Sequence, residues 1–180
     1  KIAVLGTGSW GTALALVLAD NGHDVRLWGR SQSQVNDINE FHENSRYLPK
    51  VKLPTNIVAM TSMEEALHDV EAVLFVVPTK AMREVLRKVK DVMTKPLYFI
   101  HASKGIEPET HLRVSEVIEQ EIPETLRKAV VVISGPSHAE EVGLRQPTTV
   151  TSSPLDLDAA KYVQDLFMNQ NFRVYTNEDL

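Results

Sequence analysis

Two periodicities alternate along this chain, and that alternation limits its fold more than any other feature. Eight short runs read as strands: Ile2–Leu5, Val25–Trp28, Ile57–Met60, Ala72–Val77, Leu97–Ile100, Val130–Ile133, Thr148–Thr151 and Phe172–Tyr175. Most are rich in Val, Ile or aromatic residues, and several are apolar throughout, as strands covered on both faces are. Between them the apolar residues spread out to the spacing of one helix face. Met82, Val85, Leu86, Val89, Val92 and Met93 keep the i, i+3, i+4, i+7 interval, and Ala160, Val163, Leu166 and Phe167 repeat it. Ser31-x-x-Gln34, Ser62-x-x-Glu65 and Ser137-x-x-Glu140 fit the capping box that opens a helix, and Ser153-Pro154 offers an N-cap followed by proline at the first helical position. Units alternating in this way predict an α/β, doubly wound, mainly parallel sheet with helices on both faces. At 180 residues the chain is long enough for one such domain, taken as 1–180.

The strongest local signal lies between the first strand and the first helix. Gly6-Thr7-Gly8-Ser9-Trp10-Gly11 fits G-x-G-x-x-G, follows Ile2–Leu5, and opens a helix carrying Leu14, Val17 and Leu18. Each glycine has its own reason: Gly6 for the tight turn, Gly8 for close approach of a pyrophosphate, Gly11 for close packing of helix on strand. The free amides and dipole at the helix start then face the anion. This points to a Rossmann-like, dinucleotide-binding unit. At the end of the second strand an NAD-specific site usually carries Asp or Glu for the ribose hydroxyls. Here the tip reads Trp28-Gly29-Arg30-Ser31. Arg30 can pair with a 2′-phosphate and stack on adenine, so NADPH is favoured over NADH.

Open α/β sheets bind ligands at the carboxyl ends of their strands. Two further strand ends carry unusual chemistry: His101-Ala102-Ser103-Lys104-Gly105 and Ser134-Gly135-Pro136-Ser137-His138-Ala139. Lys104 is expected near the nicotinamide end, where an ammonium can hold a hydroxyl or carbonyl oxygen, although a lysine before a glycine is by itself usually a surface charge. Ser137 is either a helix cap or a polar contact to ligand. Val77-Pro78-Thr79 closes the fourth strand, with Pro78 in a turn touching cofactor. The loop from Phe41 to Asn56 is the longest irregular segment, and such loops are often functional.

Other chemistries are excluded or unsupported. No cysteine means no disulfide, thiolate metal site or cysteine nucleophile. The six histidines show no paired metal spacing, so no metal is expected. Neither a G-x-S-x-G elbow nor a P-loop occurs. With 19 basic and 24 acidic side chains spread along the chain, nucleic acid is not an expected partner. The longest apolar runs fall far short of the roughly 20 residues a bilayer needs, so no stable membrane insertion is expected. The opening Lys1–Leu5 lacks a signal-peptide layout, and the expected location is cytoplasmic. A start at Lys1 without methionine suggests trimming.

With these residues in place, the sequence resembles the N-terminal, cofactor-binding domain of NAD(P)-dependent glycerol-3-phosphate dehydrogenases of the bacterial soluble type. Gly6-Thr7-Gly8-Ser9-Trp10-Gly11-Thr12-Ala13 is similar to the family's G-x-G-x-W-G-T-A, and His42-Glu43-Asn44-Ser45-Arg46-Tyr47-Leu48-Pro49 to its H-E-N-x-x-Y-L-P loop. Val76-Val77-Pro78, Ser103–Glu107, Ser134–Val142 and Asn171–Tyr175 follow in the family's order, so the resemblance covers the whole chain. It implies interconversion of dihydroxyacetone phosphate and sn-glycerol 3-phosphate for glycerophospholipid synthesis. By matching position it implies that Ser9, Trp10, Arg30, Ala139 and Tyr47 contact NADPH. Lys104 would bridge cofactor and substrate, and Gly135 and Ser137 would line the substrate site. In the family a second, helical domain carries the general acid/base lysine, and this sequence stops at Leu180 before that motif. The expectation is therefore a chain that binds dinucleotide but hardly turns over, belonging to a full-length protein for which a homodimer is open. Two other readings stay open: a two-domain reductase of the hydroxyacid or ketopantoate type, and a non-catalytic dinucleotide sensor.

Overall fold

All four side chains of the first strand, β1 (Ile2–Leu5), are buried, and they divide by pleat. Ile2 and Val4 enter one apolar cluster, Ala3 and Leu5 another. A strand apolar on both faces has to be covered on both, and the rest of the chain supplies the two layers. The computed structural model describes residues 1–102, 105–134, 139, 142, 148–153 and 157–176.

In chain order, β1 is followed by α1 (Ser9–Asp20), β2 (Val25–Trp28), α2 (Gln32–Phe41), β3 (Ile57–Met60), α3 (Met63–Leu67), β4 (Ala72–Phe75) and α4 (Thr79–Val92). Then come β5 (Leu97–His101), α5 (Val114–Glu121), a 3-10 turn at Glu124–Leu126, β6 (Arg127–Ser134), β7 (Thr148–Ser153), α6 (Leu157–Phe167) and β8 (Phe172–Thr176). The strands form one sheet in the order β3-β2-β1-β4-β5-β6-β7-β8. Pairing is parallel throughout except between β6 and β7, which run antiparallel. The cluster holding Ile2 and Val4 also takes in α1, Val35 and Ile38 of α2, and Val163, Leu166 and Phe167 of α6. The cluster on the other face takes in Met63, Ala66 and Leu67 of α3, the α4 stripe Met82, Val85, Leu86 and Val89, and Val114, Val117 and Ile118 of α5. The doubly wound, mainly parallel sheet expected from the sequence is the fold observed.

Differences from the expected boundaries have local causes. β4 stops at Phe75 rather than Val77: the Val76 N–H still donates to Leu5 O at 2.9 Å, after which Pro78 stands at the N-cap of α4. Ser153 ends β7 and α6 is described from Leu157, and Pro154, the expected first helical position, lies outside the described residues. Ser31 and Ser62 both cap their helices, accepting from the backbone N–H of Gln34 and Glu65. The Gln34 side chain, however, does not return to close its box, because it is bonded to the glycine turn instead. The Ser137–Glu140 box lies outside the described residues. A reach-back bond that the serine pattern missed occurs at α5, where the Arg113 N–H donates to Glu116 Oε1 at 3.2 Å.

Successive strands β1, β2 and β3 run outward one way, and β4, β5 and β6 the other. The order therefore reverses between β1 and β4, and in sheets of this kind a crevice opens beyond the strand ends at that point. Among the described residues no helix is long and apolar enough to cross a membrane.

Candidate functional site

The turn after β1 and the chain leaving β4 meet at that crevice. Gly6 has φ +131°, and a Cβ built there would lie 2.2 Å from the Val76 carbonyl oxygen. A Cβ on Gly11 would lie 2.0 Å from the Gly6 carbonyl oxygen, so the first turn of α1 presses on the glycine turn itself. Gly8 differs: nothing lies within 4 Å of where its Cβ would stand. The first and third glycines thus pack the protein against itself, and the middle one leaves open space for a ligand. Gly8 is the N-cap of α1, no side chain caps this helix, and its first turn holds no acidic residue. The helix N-terminus keeps the positive end of its dipole unopposed, which suits an anion.

A cleft of about 540 Å³ opens there. Of the residues expected from sequence, Gly6, Gly8, Arg30, Tyr47 and Pro78 line it, joined by Thr7, Gln34 and Lys80. Arg30 follows β2, as expected, and its guanidinium Nη2 lies 3.5 Å from Glu84 Oε2 on α4. Tyr47 comes from the long loop, its ring 5.2 Å from the Arg46 guanidinium carbon. Ser9 Oγ donates to the Tyr47 carbonyl at 2.7 Å, so its hydroxyl ties that loop to the start of α1. Trp10 and Ala139 join the apolar cluster beneath α1, Ala139 being buried, and neither these two nor Ser9 and Gly11 are among the residues that line the cleft. Lys104, Gly135 and Ser137 lie outside the described residues. Gly105, just after Lys104, comes close to α4: its Cβ would stand 3.6 Å from Thr79 Oγ1.

The glycine turn is held by a polar network that sequence reasoning did not assign. Asn44 is fully buried, and its Nδ2 donates to Thr7 O at 2.9 Å and to Thr12 Oγ1 at 2.8 Å. Gln34 Nε2 donates to the same Thr7 carbonyl at 2.7 Å and to Asn44 Oδ1 at 3.2 Å, and Gln34 Oε1 accepts from Thr7 Oγ1 at 2.8 Å. Buried polar groups satisfied in this way fix a single conformation, because breaking one bond strands its partner without water. The long loop is therefore a structural strap over the turn, anchored by buried Leu48, Val51 and Leu53. The one available signal was Asn44 itself, an amide within a loop otherwise read for its tyrosine.

Next to the cleft an ionic cluster joins α4 to α5. Arg83 donates to Glu107 through Nε and Nη2 at 2.9 and 2.8 Å, and to Glu121 through Nη1 at 2.8 Å. The bidentate bond from Arg83, with a bond from Thr110 behind it, holds the Glu107 carboxyl down at about 2. Burial would raise Glu121, but the bonds from Arg83 and Arg87 outweigh it and leave its pKa lowered. Among the described residues no three His, Cys, Asp or Glu side chains come together as a metal site.

Comparison with known proteins adds to this geometry. A family profile described as NAD-dependent glycerol-3-phosphate dehydrogenase N-terminus matches residues 1–160. A glycerol-3-phosphate dehydrogenase (NAD(P)+) of Bacillus cereus is 66% identical over 180 residues, covering 100% of this chain and 53% of the relative. One from Bacillus mycoides matches equally, at 66% identity and the same coverage. Among solved structures, a glycerol-3-phosphate dehydrogenase from Coxiella burnetii superposes with a TM-score of 0.91 at 36% identity, over 99% of this chain and 54% of that one. The chain thus spans about half the length of the relatives it matches.

Proposed function

The chain belongs to the NAD-dependent glycerol-3-phosphate dehydrogenase family, matching its N-terminal part, and from that premise we propose that it is the dinucleotide-binding domain of an enzyme interconverting dihydroxyacetone phosphate and sn-glycerol 3-phosphate. The observation that carries the reading is the glycine turn at the sheet's switch point, with Gly8 open to a ligand between two glycines that are closed by protein. The residues present fit a dinucleotide. The uncapped start of α1 takes the pyrophosphate, and Arg30 takes a 2′-phosphate at the adenosine end. No carboxylate occurs at the tip of β2 to hold free ribose hydroxyls, which supports NADPH over NADH.

When bound, the dinucleotide supplies the hydride that reduces a keto carbon. Lys104 is assigned to the reacting end, where its ammonium stabilises negative charge developing on the substrate oxygen. Gly135 and Ser137 are assigned to the substrate site, and Ser9, Trp10, Tyr47, Pro78 and Ala139 to the cofactor. The proton donor and the substrate-phosphate site are assigned to the part of the relatives' length beyond this chain. The 180-residue chain is then expected to bind cofactor with essentially no turnover, in a cytoplasmic enzyme acting on a small phosphorylated substrate.

The test is a titration of the chain with NADPH and with NADH, followed by nicotinamide fluorescence, on wild type and Arg30→Ala. Loss of a charge-assisted phosphate contact is expected to weaken NADPH by about tenfold to a hundredfold and NADH by less than about threefold. Equal weakening of both would discard the 2′-phosphate assignment, and binding of neither by wild type would discard the site.

A further inference from the structure

Arg30 is already engaged in this structure, by a carboxylate of α4 at the edge of the cleft. Glu84 lies on α4, and its two oxygens face two cations: Oε2 is 3.5 Å from Arg30 Nη2, and Oε1 is 3.7 Å from Lys88 Nζ. Lys88 Nζ also lies 5.8 Å from the centroid of the Trp28 ring, at the end of β2. Lys80, four residues before Glu84 and so on the same face of α4, lines the cleft with Arg30 and has no ion pair among the described residues. Arg30 and Lys80 line the cleft, whereas Glu84 and Lys88 line the neighbouring groove along α4, so Glu84 stands at the boundary of the two, between Arg30 and Lys88. These contacts are loose. Both separations exceed hydrogen-bond length, and Arg30 and Glu84 are 53% and 59% exposed. A phosphate dianion, with shorter bidentate bonds and twice the charge, displaces such a carboxylate.

The geometry points to Glu84 as a specificity-determining residue that competes with the 2′-phosphate for Arg30. The inference rests on the dinucleotide reading given above. NADH has no 2′-phosphate and leaves the Arg30–Glu84 pair in place, whereas NADPH has to break it. Glu84 thereby holds down affinity for the phosphorylated cofactor alone, and narrows a preference that the strand tip by itself makes steep. An exposed pair of this kind is worth little, so the expected effect is about two- to fivefold.

The experiment measures dissociation constants for NADPH and NADH at low ionic strength, on the protein at its native full length. The proteins are wild type, Glu84→Gln, Asp91→Asn, Arg30→Ala and the Arg30→Ala/Glu84→Gln double variant. Asp91 is a second acid of α4, lining the same neighbouring groove as Glu84 but with no ion pair to Arg30 among the described residues, and reports the general field of the helix. The expected result is tighter NADPH binding in Glu84→Gln by about two- to fivefold, NADH within twofold, and no comparable change in Asp91→Asn. The gain is expected to vanish in the Arg30→Ala background, since the competition needs Arg30. Equal gains for both cofactors, a gain that survives in Arg30→Ala, or no gain at all overturns the role of Glu84 while leaving the cofactor reading intact. Wild type that binds neither dinucleotide overturns the cofactor reading and this inference with it.

Discussion

At the scale of single residues, the three glycines of the turn do different work, and substitution separates them. Alanine at Gly6 needs φ +131° and places a methyl 2.2 Å from a backbone carbonyl that has little room to retreat. Gly6→Ala is expected to lose about 3 kcal/mol in urea unfolding, from strain and overpacking together. Alanine at Gly8 meets nothing within 4 Å, in an extended backbone with φ −75°. Gly8→Ala is expected to stay within about 1 kcal/mol of wild type in the same unfolding measurement. It is expected to weaken both dinucleotides by at least about tenfold, through the methyl that replaces open space. A large stability loss in Gly8→Ala, or unchanged binding, would place the ligand elsewhere. The Thr7–Gln34–Asn44 bonds explain how so small a turn keeps its shape: three side chains from three segments meet on it, and Asn44 is fully buried.

At the scale of elements, the Arg83 cluster decides how α4, α5 and the segment after Gly105 hold together. Arg83 and Arg87 come from α4, Glu121 ends α5, and Glu107 lies two residues beyond Gly105, in the segment between β5 and α5. Glu107 is held at about 2 in the folded chain, below the ordinary 4.5. A lowered carboxyl stabilises fully above its unfolded pKa and loses that contribution as pH falls through the folded value. Arg83→Ala is accordingly expected to lower the urea midpoint at pH 7, and the gap to wild type is expected to narrow steadily between pH 4.5 and pH 2. Urea titrations at several pH values across that window check it, and a gap independent of pH would mean that Arg83 acts by packing alone. The helix also carries Lys80, which lines the cleft, so one element faces both the cleft and this cluster.

At the scale of the whole molecule, the proposed dinucleotide site draws on elements far apart in sequence: the turn after β1, the tip of β2, the long loop before β3 and the start of α4. A ligand that binds this arrangement and not the unfolded chain stabilises all of it at once. NADPH at a hundred times its dissociation constant is expected to add about 2.7 kcal/mol, which for a chain of this size raises Tm by roughly 5–10 °C. Differential scanning calorimetry with and without NADPH measures it, and an unchanged Tm at saturation would contradict a site built from four separate segments.

The strands and both faces of the sheet were legible in the sequence because burial imposes a period of two or an unbroken apolar run, and such a pattern is local. The glycine turn was legible for the same reason: φ +131° at Gly6 and the two close approaches exclude any side chain, so the requirement is written at the positions themselves. The edges of that reading failed where a bond came from elsewhere. Gln34 looked like half of a capping box until Thr7 and Asn44, distant in sequence, supplied better partners for its amide. Glu84 and Lys80 went unassigned, since nothing in a helical period shows which strand tip will lie opposite. Local sequence set the elements and the glycine turn. The tertiary structure alone decided which side chains share the cleft, because pairing of parallel strands joins segments tens of residues apart, and no short-range pattern encodes such neighbours.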